Sequence, residues 1–321
     1  MDESVSKPQV SYRTAGDNDE GQRLDNYLAR QLKGVPRSLV YRILRRGEVR
    51  VNGGRCQPSY KLRAGDEIRL PPVRVSAEPV VIPSSNLHLV QDLRERILFE
   101  DDGILVVNKP SGLAAHGGSG IEFGLIEALR ALRDDLGYLE LAHRLDRDTS
   151  GCLIVAKRRS ALRHLHEQFR QRQVKKRYLT LVPGSWDRKL QVVSAPLKRN
   201  ELRSGERMVM VDFNNGAPSS TGFDIVEEYA GATLMAALPH TGRTHQIRVH
   251  CAYVHHPVGG DEKYGDKEFN ALLRSAGFHG MFLHASRISF INPSDGELLK
   301  IEAPMSAQLE QILSYFREGQ H

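Results

Sequence analysis

No run in this 321-residue chain approaches the roughly 20 consecutive apolar residues that a membrane-spanning helix needs. The first twenty residues are polar and acidic without an apolar core, so they do not read as a secretory signal. Cysteine is scarce: Cys56, Cys152 and Cys251 are an odd, widely spaced set that matches no metal-ligand spacing. Such usage argues against a disulfide scaffold and fits a reducing cytosol, so a cytoplasmic protein is expected. No internal repeat, low-complexity tract or cofactor-binding motif stands out. What is present is ordinary for a soluble globular protein, with 40% hydrophobic and 26% charged residues. The length suffices for a sizeable core and for two domains.

The net charge of +6 is unevenly spread. Residues 21–74 hold thirteen Lys or Arg against four Asp or Glu, whereas residues 1–20 hold two against five. The remainder is therefore neutral on balance, and the excess of positive charge sits in one short segment. A concentrated basic segment is the footprint expected of nucleic-acid binding.

Within that segment Leu24, Tyr27, Leu28 and Leu32 keep helical spacing, and Gly34 ends the pattern. A second helix is expected from Pro36, with Leu39, Val40, Ile43 and Leu44 as its apolar stripe and Gly47 as its stop. Arg37, Arg42, Arg45 and Arg46 flank the stripe. Val49 and Val51 then alternate with charged residues before an Asn52-Gly53 turn, and a further short strand runs over residues 67–70. Residues 1–20 lack periodicity and read as a disordered acidic tail, 21–74 as a small α+β module, 75–95 as a linker with a helical turn near its end, and 96–321 as a second domain.

The second domain opens with a hairpin signal, Asp102-Gly103, between Ile97-Leu98-Phe99 and Ile104-Leu105-Val106-Val107. Leu125, Leu129, Leu132 and Leu136 predict a helix stopped by Gly137, and residues 151–156 a buried strand. Ser160 is the expected N-cap of a helix burying Leu162, Leu165 and Phe169. Residues 177–182 alternate as a strand. Further strands, a helix near Thr244–Val254 and a last helix after Pro304 complete the pattern. Strands and helices without a regular βαβ rhythm predict an α+β fold around a largely antiparallel mixed β-sheet.

The most informative segment is His143-Arg144-Leu145-Asp146-Arg147-Asp148-Thr149-Ser150-Gly151. Nearby cations favour the charged form of a carboxylate such as Asp146. A carboxylate held in place is able to act as a nucleophile or to stabilise positive charge developing on a sugar. Spacing alone suggests no more than that. His245, His250, His255 and His256 invite a metal site, but the i, i+5 spacing of the first two and the lack of paired acids or cysteines argue against one. Gly117-Gly118-Ser119-Gly120 lacks the flanking pattern of a phosphate-binding loop and reads as a flexible loop.

Residues 23–53 followed by Ala64-Gly65-Asp66-Glu67-Ile68-Arg69-Leu70-Pro71 resemble the S4 RNA-binding domain, which implies that the second helix and the strand after it present basic side chains to structured RNA. Four segments resemble the RluA-type family of pseudouridine synthases: ILVVNKPSGLAAH at 104–116, HRLDRDTSG at 143–151, KKRY at 175–178 and TGRTHQIRVH at 241–250. The resemblance implies a cofactor-independent isomerase that converts uridine to pseudouridine. With the S4-like module it implies 23S ribosomal RNA, or a large-subunit precursor, as the partner. Asp146 then stands at the place of the essential aspartate, Arg248 pairs with it, and Tyr178 lies in the active site. Arg144 enters the space left by a flipped nucleotide, Ile247 packs against the base, and Lys109 in the first motif contacts RNA or substrate. Asp148 and His143 are read as structural, and Arg147 receives no role. Nothing suggests more than a monomer. A non-catalytic RNA-binding ribosome-assembly factor is the alternative, opposed by the presence of Asp146, Tyr178 and Arg248 together; a nuclease or N-glycosidase is opposed by the lack of a second required carboxylate.

Overall fold

The computed structural model describes residues 9–32, 35–73, 83–84, 87–117, 123–201 and 207–319, apart from the side chains of Arg37, Glu201 and Arg207. The chain divides into two compact units at residues 81 and 82.

In the first unit β1 (Ser11–Thr14), α1 (Leu24–Gln31), α2 (Arg37–Arg46), β2 (Arg50–Val51) and β3 (Glu67–Leu70) follow in order. The strands form an antiparallel sheet in the order β1-β3-β2. Leu24, Leu28, Val40, Ile43, Leu44, Val51 and Ile68 are buried together, so both helices turn their stripes onto one core. Gly47 ends α2 with φ +69, a left-handed cap that only glycine adopts freely. Asn52 and Gly53 both have positive φ, as a tight hairpin turn requires.

β1 corrects the expectation of a disordered tail over residues 1–20. Ser11 faces Leu70 and Thr14 faces Glu67 in register. All four β1 side chains are exposed, so the strand is held through its backbone and leaves no apolar alternation to read. Residues 1–8 lie outside the described residues.

The second unit contains α3 (His88–Glu95), β4 (Ile97–Glu100), β5 (Ile104–Lys109), α4 (Leu125–Leu132), β6 (Glu140–Leu141), β7 (Ser150–Ala156), α5 (Arg159–Arg170) and β8 (Lys175–Pro183). It continues through β9 (Val192–Ser194), β10 (Leu197–Glu201), β11 (Arg207–Val211), β12 (Ser220–Tyr229), β13 (Ala232–Pro239), α6 (Gln246–Tyr253), α7 (Lys267–Ser275), β14 (Leu283–Ile291), β15 (Leu298–Glu302) and α8 (Ala307–Glu318). Ten strands form one sheet along the path β4-β5-β7-β14-β8-β13-β12-β9, with β6 beside β7 and β15 beside β14. Only the β7–β14 pairing is parallel among the described strands, so the sheet is mixed and largely antiparallel. Helices cover it: Val90 and Leu93 of α3 and Leu125 and Leu129 of α4 are fully buried against Leu105, Val107, Leu153 and Val155.

Three boundaries differ from expectation. The C-terminal part of the 75–95 linker is α3, whose two buried side chains belong to the second core; most of the rest of the linker lies outside the described residues. α4 ends at Leu132, not at Gly137, because Asp134 and Asp135 follow where the helix dipole disfavours negative charge. α5 starts at Arg159 with Arg158 at the cap position, so Ser160 lies inside the first turn and caps nothing.

Gly151 shows how the sheet positions the HRLDRDTSG segment. It has φ +108, and a Cβ there would meet the Ala285 oxygen at 2.3 Å. Only glycine lets β7 approach β14 this closely, which sets the loop of residues 142–149 at the end of the parallel pair.

Candidate active site

Asp146 lies in the loop before β7, its backbone oxygen accepting from Thr149 N at 3.2 Å. Beneath this loop Lys109, at the end of β5, is fully buried. Its Nζ donates to the carbonyls of Pro110, Leu113 and Arg147 at 2.8, 2.8 and 2.9 Å. Three carbonyls satisfy the three donors of an ammonium, while burial pushes the group down to about 7. The structure therefore corrects the expectation that Lys109 contacts RNA or substrate: its amine is spent tying the first motif to the loop that carries Asp146.

Arg248 comes from α6 and is itself buried. Its Nη1 donates to Asp146 Oδ2 at 3.2 Å, and its Nε and Nη2 donate to Asp261 Oδ2 and Oδ1 at 2.7 and 2.8 Å. Burial opposes the charge of this guanidinium, but the hydrogen bonds and charge of Asp261, then of Asp146, raise it above the usual arginine value. Burial likewise opposes ionisation of Asp261, yet Arg248 holds its carboxyl below the ordinary carboxylate range. The Lys263 and Tyr264 amides add bonds to Asp261 Oδ1 at 2.9 and 3.1 Å.

His245 faces the same Asp146 oxygen: its Nε2 is 3.7 Å from Asp146 Oδ2 and its Nδ1 is 2.8 Å from the Tyr264 hydroxyl. The Tyr264 oxygen also accepts from Val209 N at 2.9 Å. Burial pushes His245 below the usual histidine value, against the pull of Asp146. His245 has φ +54, which delays α6 to Gln246 instead of the expected Thr244. Such a backbone costs about 1–3 kcal/mol outside glycine.

Tyr178 sits on β8 and lines the same cavity of about 340 Å³ with Arg144, Asp146, Lys176, Ile247 and Arg248. Burial and the charge of Asp146 push its hydroxyl well above the usual tyrosine value, so it stays protonated. Ile247 is buried in the wall. Arg144 is exposed at the cavity mouth, and nothing among the described residues bonds its guanidinium. Arg147 pairs with Asp148 at 3.1 Å on the exposed side of the loop. His143 accepts from Ile154 N through Nε2 at 3.1 Å and packs 5.0 Å from the Phe169 ring; burial pushes it down to about 3.

The structure thus brings Asp146, Tyr178, Ile247 and Arg248 together, with Arg144 at the rim and Lys109 below. In the first unit Arg42, Arg45 and Arg46 are exposed along α2, while the side chain of Arg37 lies outside the described residues. The four histidines separate: His250 is buried between Thr221, Ser219 and the Ala195 carbonyl, and His256 bonds the Pro183 carbonyl. Gly118, Ser119 and Gly120 lie outside the described residues. Asp261, Tyr264 and the orientation of His245 escaped the sequence reading. Asp261 stands in a loop thirteen residues beyond Arg248, where no helical or strand period links the two.

Residues 103–253 match the RNA pseudouridylate synthase family and residues 22–68 match the S4 domain. Ribosomal large subunit pseudouridine synthase C of Pasteurella multocida is 56% identical over 317 residues, covering 99% of this chain and 97% of that protein. The protein of that name from Escherichia coli K12 is 54% identical over 314 residues, covering 97% and 98%. Among solved structures, human RNA pseudouridylate synthase domain containing 4 aligns with a TM-score of 0.57 at 25% identity, covering 71% of this chain and 95% of that one. Its domain-containing-1 counterpart aligns at 0.55 with 27% identity, covering 69% and 94%. The chain belongs to the RNA pseudouridylate synthase family and carries an S4 domain ahead of the synthase domain.

Proposed function

We propose that this protein isomerises specific uridines to pseudouridine in 23S ribosomal RNA of the large subunit, without a cofactor and as a monomer. The observation that carries the reading is the placement of one carboxylate, Asp146, bonded by the buried Arg248, in a 340 Å³ cavity that Tyr178 also lines. The reaction breaks the N1–C1′ bond, forms a C5–C1′ bond, releases the C5 proton to solvent and places a proton on the freed N1. Nothing is oxidised, and only protons pass between molecules.

Extruding a stacked nucleotide costs a few kcal/mol. The exposed guanidinium of Arg144, unbonded among the described residues, suits the vacated space, because its plane stacks on bases and bonds phosphates together. Asp146 meets the sugar of the flipped uridine, either capturing C1′ or removing a sugar proton; both routes need the same oriented carboxylate. Arg248 supplies that orientation through a charge-assisted bond, and Asp261 fixes Arg248. Tyr178 stacks on the freed uracil, and its protonated hydroxyl relays the C5 proton by passing its own hydrogen to solvent as it receives the new one, while Ile247 packs against the base. Exposed Arg42, Arg45 and Arg46, with Arg37, contact RNA phosphates from the S4 unit.

Carbodiimide adduct mapping of ribosomal RNA from cells lacking the protein tests the reading. Specific pseudouridine stops should disappear and return with the wild-type chain. Stops that persist without the protein would refute it.

A further inference from the structure

A second groove of about 700 Å³ adjoins the catalytic cavity and shares Phe169, Lys176, Pro239, Thr241, Gly242 and Arg243 with it. It runs between the turn after α5 and the loop after β13. Arg170, Arg172, Lys175, Lys176, His240 and Arg243 line it, and no carboxylate does. Arg170 pairs with Glu167. Among the described residues Arg172, Lys175, Lys176 and Arg243 have no acidic partner.

Two details make this more than a solvated basic face. Arg172 holds φ +59, a conformation glycine or asparagine adopts more easily, and it is pinned there by Arg172 N to Phe169 O and Gln173 N to Gln168 O bonds of 3.2 and 2.9 Å. Lys176 shares a face of β8 with Tyr178, two residues on, and is half-buried at the junction of groove and cavity, where a Cβ on Gly242 would lie 3.7 Å from its Nζ. Burial pushes its ammonium below the usual lysine value and no carboxylate offsets it. A half-buried ammonium without a counter-ion, beside a site for a nucleotide, calls for an anion from the ligand.

We propose that this groove seats the phosphodiester backbone flanking the flipped uridine, with Lys176 bonding the phosphate next to the target and Arg172, Lys175 and Arg243 the phosphates beyond it. The proposal rests on the isomerase reading and names the path that the substrate strand takes out of its cavity. An RNA backbone suits the groove better than an acidic protein face, because the line of cations starts at the nucleotide cavity itself.

The test uses the full-length protein and a 23S ribosomal RNA transcript labelled with tritium at uracil C5, whose release reports turnover. Lys176→Met should raise KM about tenfold, as expected for losing one bond to a charged group. Arg172→Gln with Lys175→Gln should raise Kd and flatten the slope of log Kd against log salt by about 1.4, for two single-strand phosphate contacts. Lys189→Gln, on an exposed loop away from both cavities, should change neither. With a methylphosphonate in place of one phosphate beside the target, the Lys176→Met penalty should vanish at one of the two positions. Circular dichroism matching wild type shows that each variant is folded. Unchanged KM and salt slope in the groove variants, or a Lys176→Met penalty that persists at both methylphosphonate positions, overturns the groove. A wild-type protein that releases no tritium overturns the isomerase reading and the groove with it.

Discussion

Arg248 grips Asp261 with two nitrogens, at 2.7 and 2.8 Å, and reaches Asp146 with the third at 3.2 Å. The fork is thus anchored on a fully buried carboxylate, and its remaining nitrogen points at the one proposed to react. A planar guanidinium fixed this way has little freedom to follow Asp146 if the loop shifts, so the geometry of the pair is set from below.

Asp261→Asn should therefore harm both stability and rate. Breaking one partner of a buried pair typically costs about 3–5 kcal/mol, and the variant should melt lower by calorimetry. The effect depends on pH with a definite sign. Arg248 holds Asp261 below its unfolded value of 3.8, so its stabilisation is complete above that value and fades as pH falls through the lowered folded value. The wild-type advantage over Asp261→Asn should shrink in acid; an advantage that grows below pH 4 would contradict the pairing.

Lys109→Met should destabilise the protein by about 2–4 kcal/mol, since it leaves one buried and two part-buried carbonyls without this donor. Because those carbonyls include Arg147 in the Asp146 loop, kcat should fall more than binding does. Equal affinity for the RNA transcript, with a lower melting temperature, is the expected pair of results. A large loss of affinity with normal stability would restore Lys109 as an RNA contact.

Tyr178→Phe keeps the ring and removes the hydroxyl. Losing a general acid–base group costs about 10²- to 10⁴-fold in kcat, while KM should hardly move because stacking survives. Since burial and Asp146 raise the hydroxyl, wild-type kcat should show no tyrosine limb below pH 10. Tritium release at the wild-type rate by the variant would remove the hydroxyl from the reaction.

Arg42→Ala with Arg45→Ala should weaken RNA binding and flatten its salt dependence by about 1.8, the value for two duplex phosphate contacts. Filter binding from 50 to 300 mM salt measures this. An unchanged slope would argue against the S4 unit as a phosphate reader.

Much of the fold was legible because it obeys local rules. The stripes of α1 and α2, the Asn52-Gly53 and Asp102-Gly103 turns and the buried run of β7 are written at helical or strand period and bury accordingly. β1 was not legible, because an edge strand with four exposed side chains carries no pattern. Asp146, Tyr178 and Arg248 were found as motif residues, but their mutual support was not. Asp261 and Tyr264 sit in a loop whose meaning exists only once α6 brings Arg248 and His245 against it. Lys109 was misread for a related reason: a lysine after a buried strand looks like a surface cation until the carbonyls around it are seen.

The central claim, that Asp146 carries the isomerisation, is tested most directly by Asp146→Asn. The asparagine keeps the shape and loses the charge. Purified wild type should release tritium from C5-labelled 23S transcript, while folded Asp146→Asn binds the same RNA and releases none above background. Release at the wild-type rate by that variant would contradict the account.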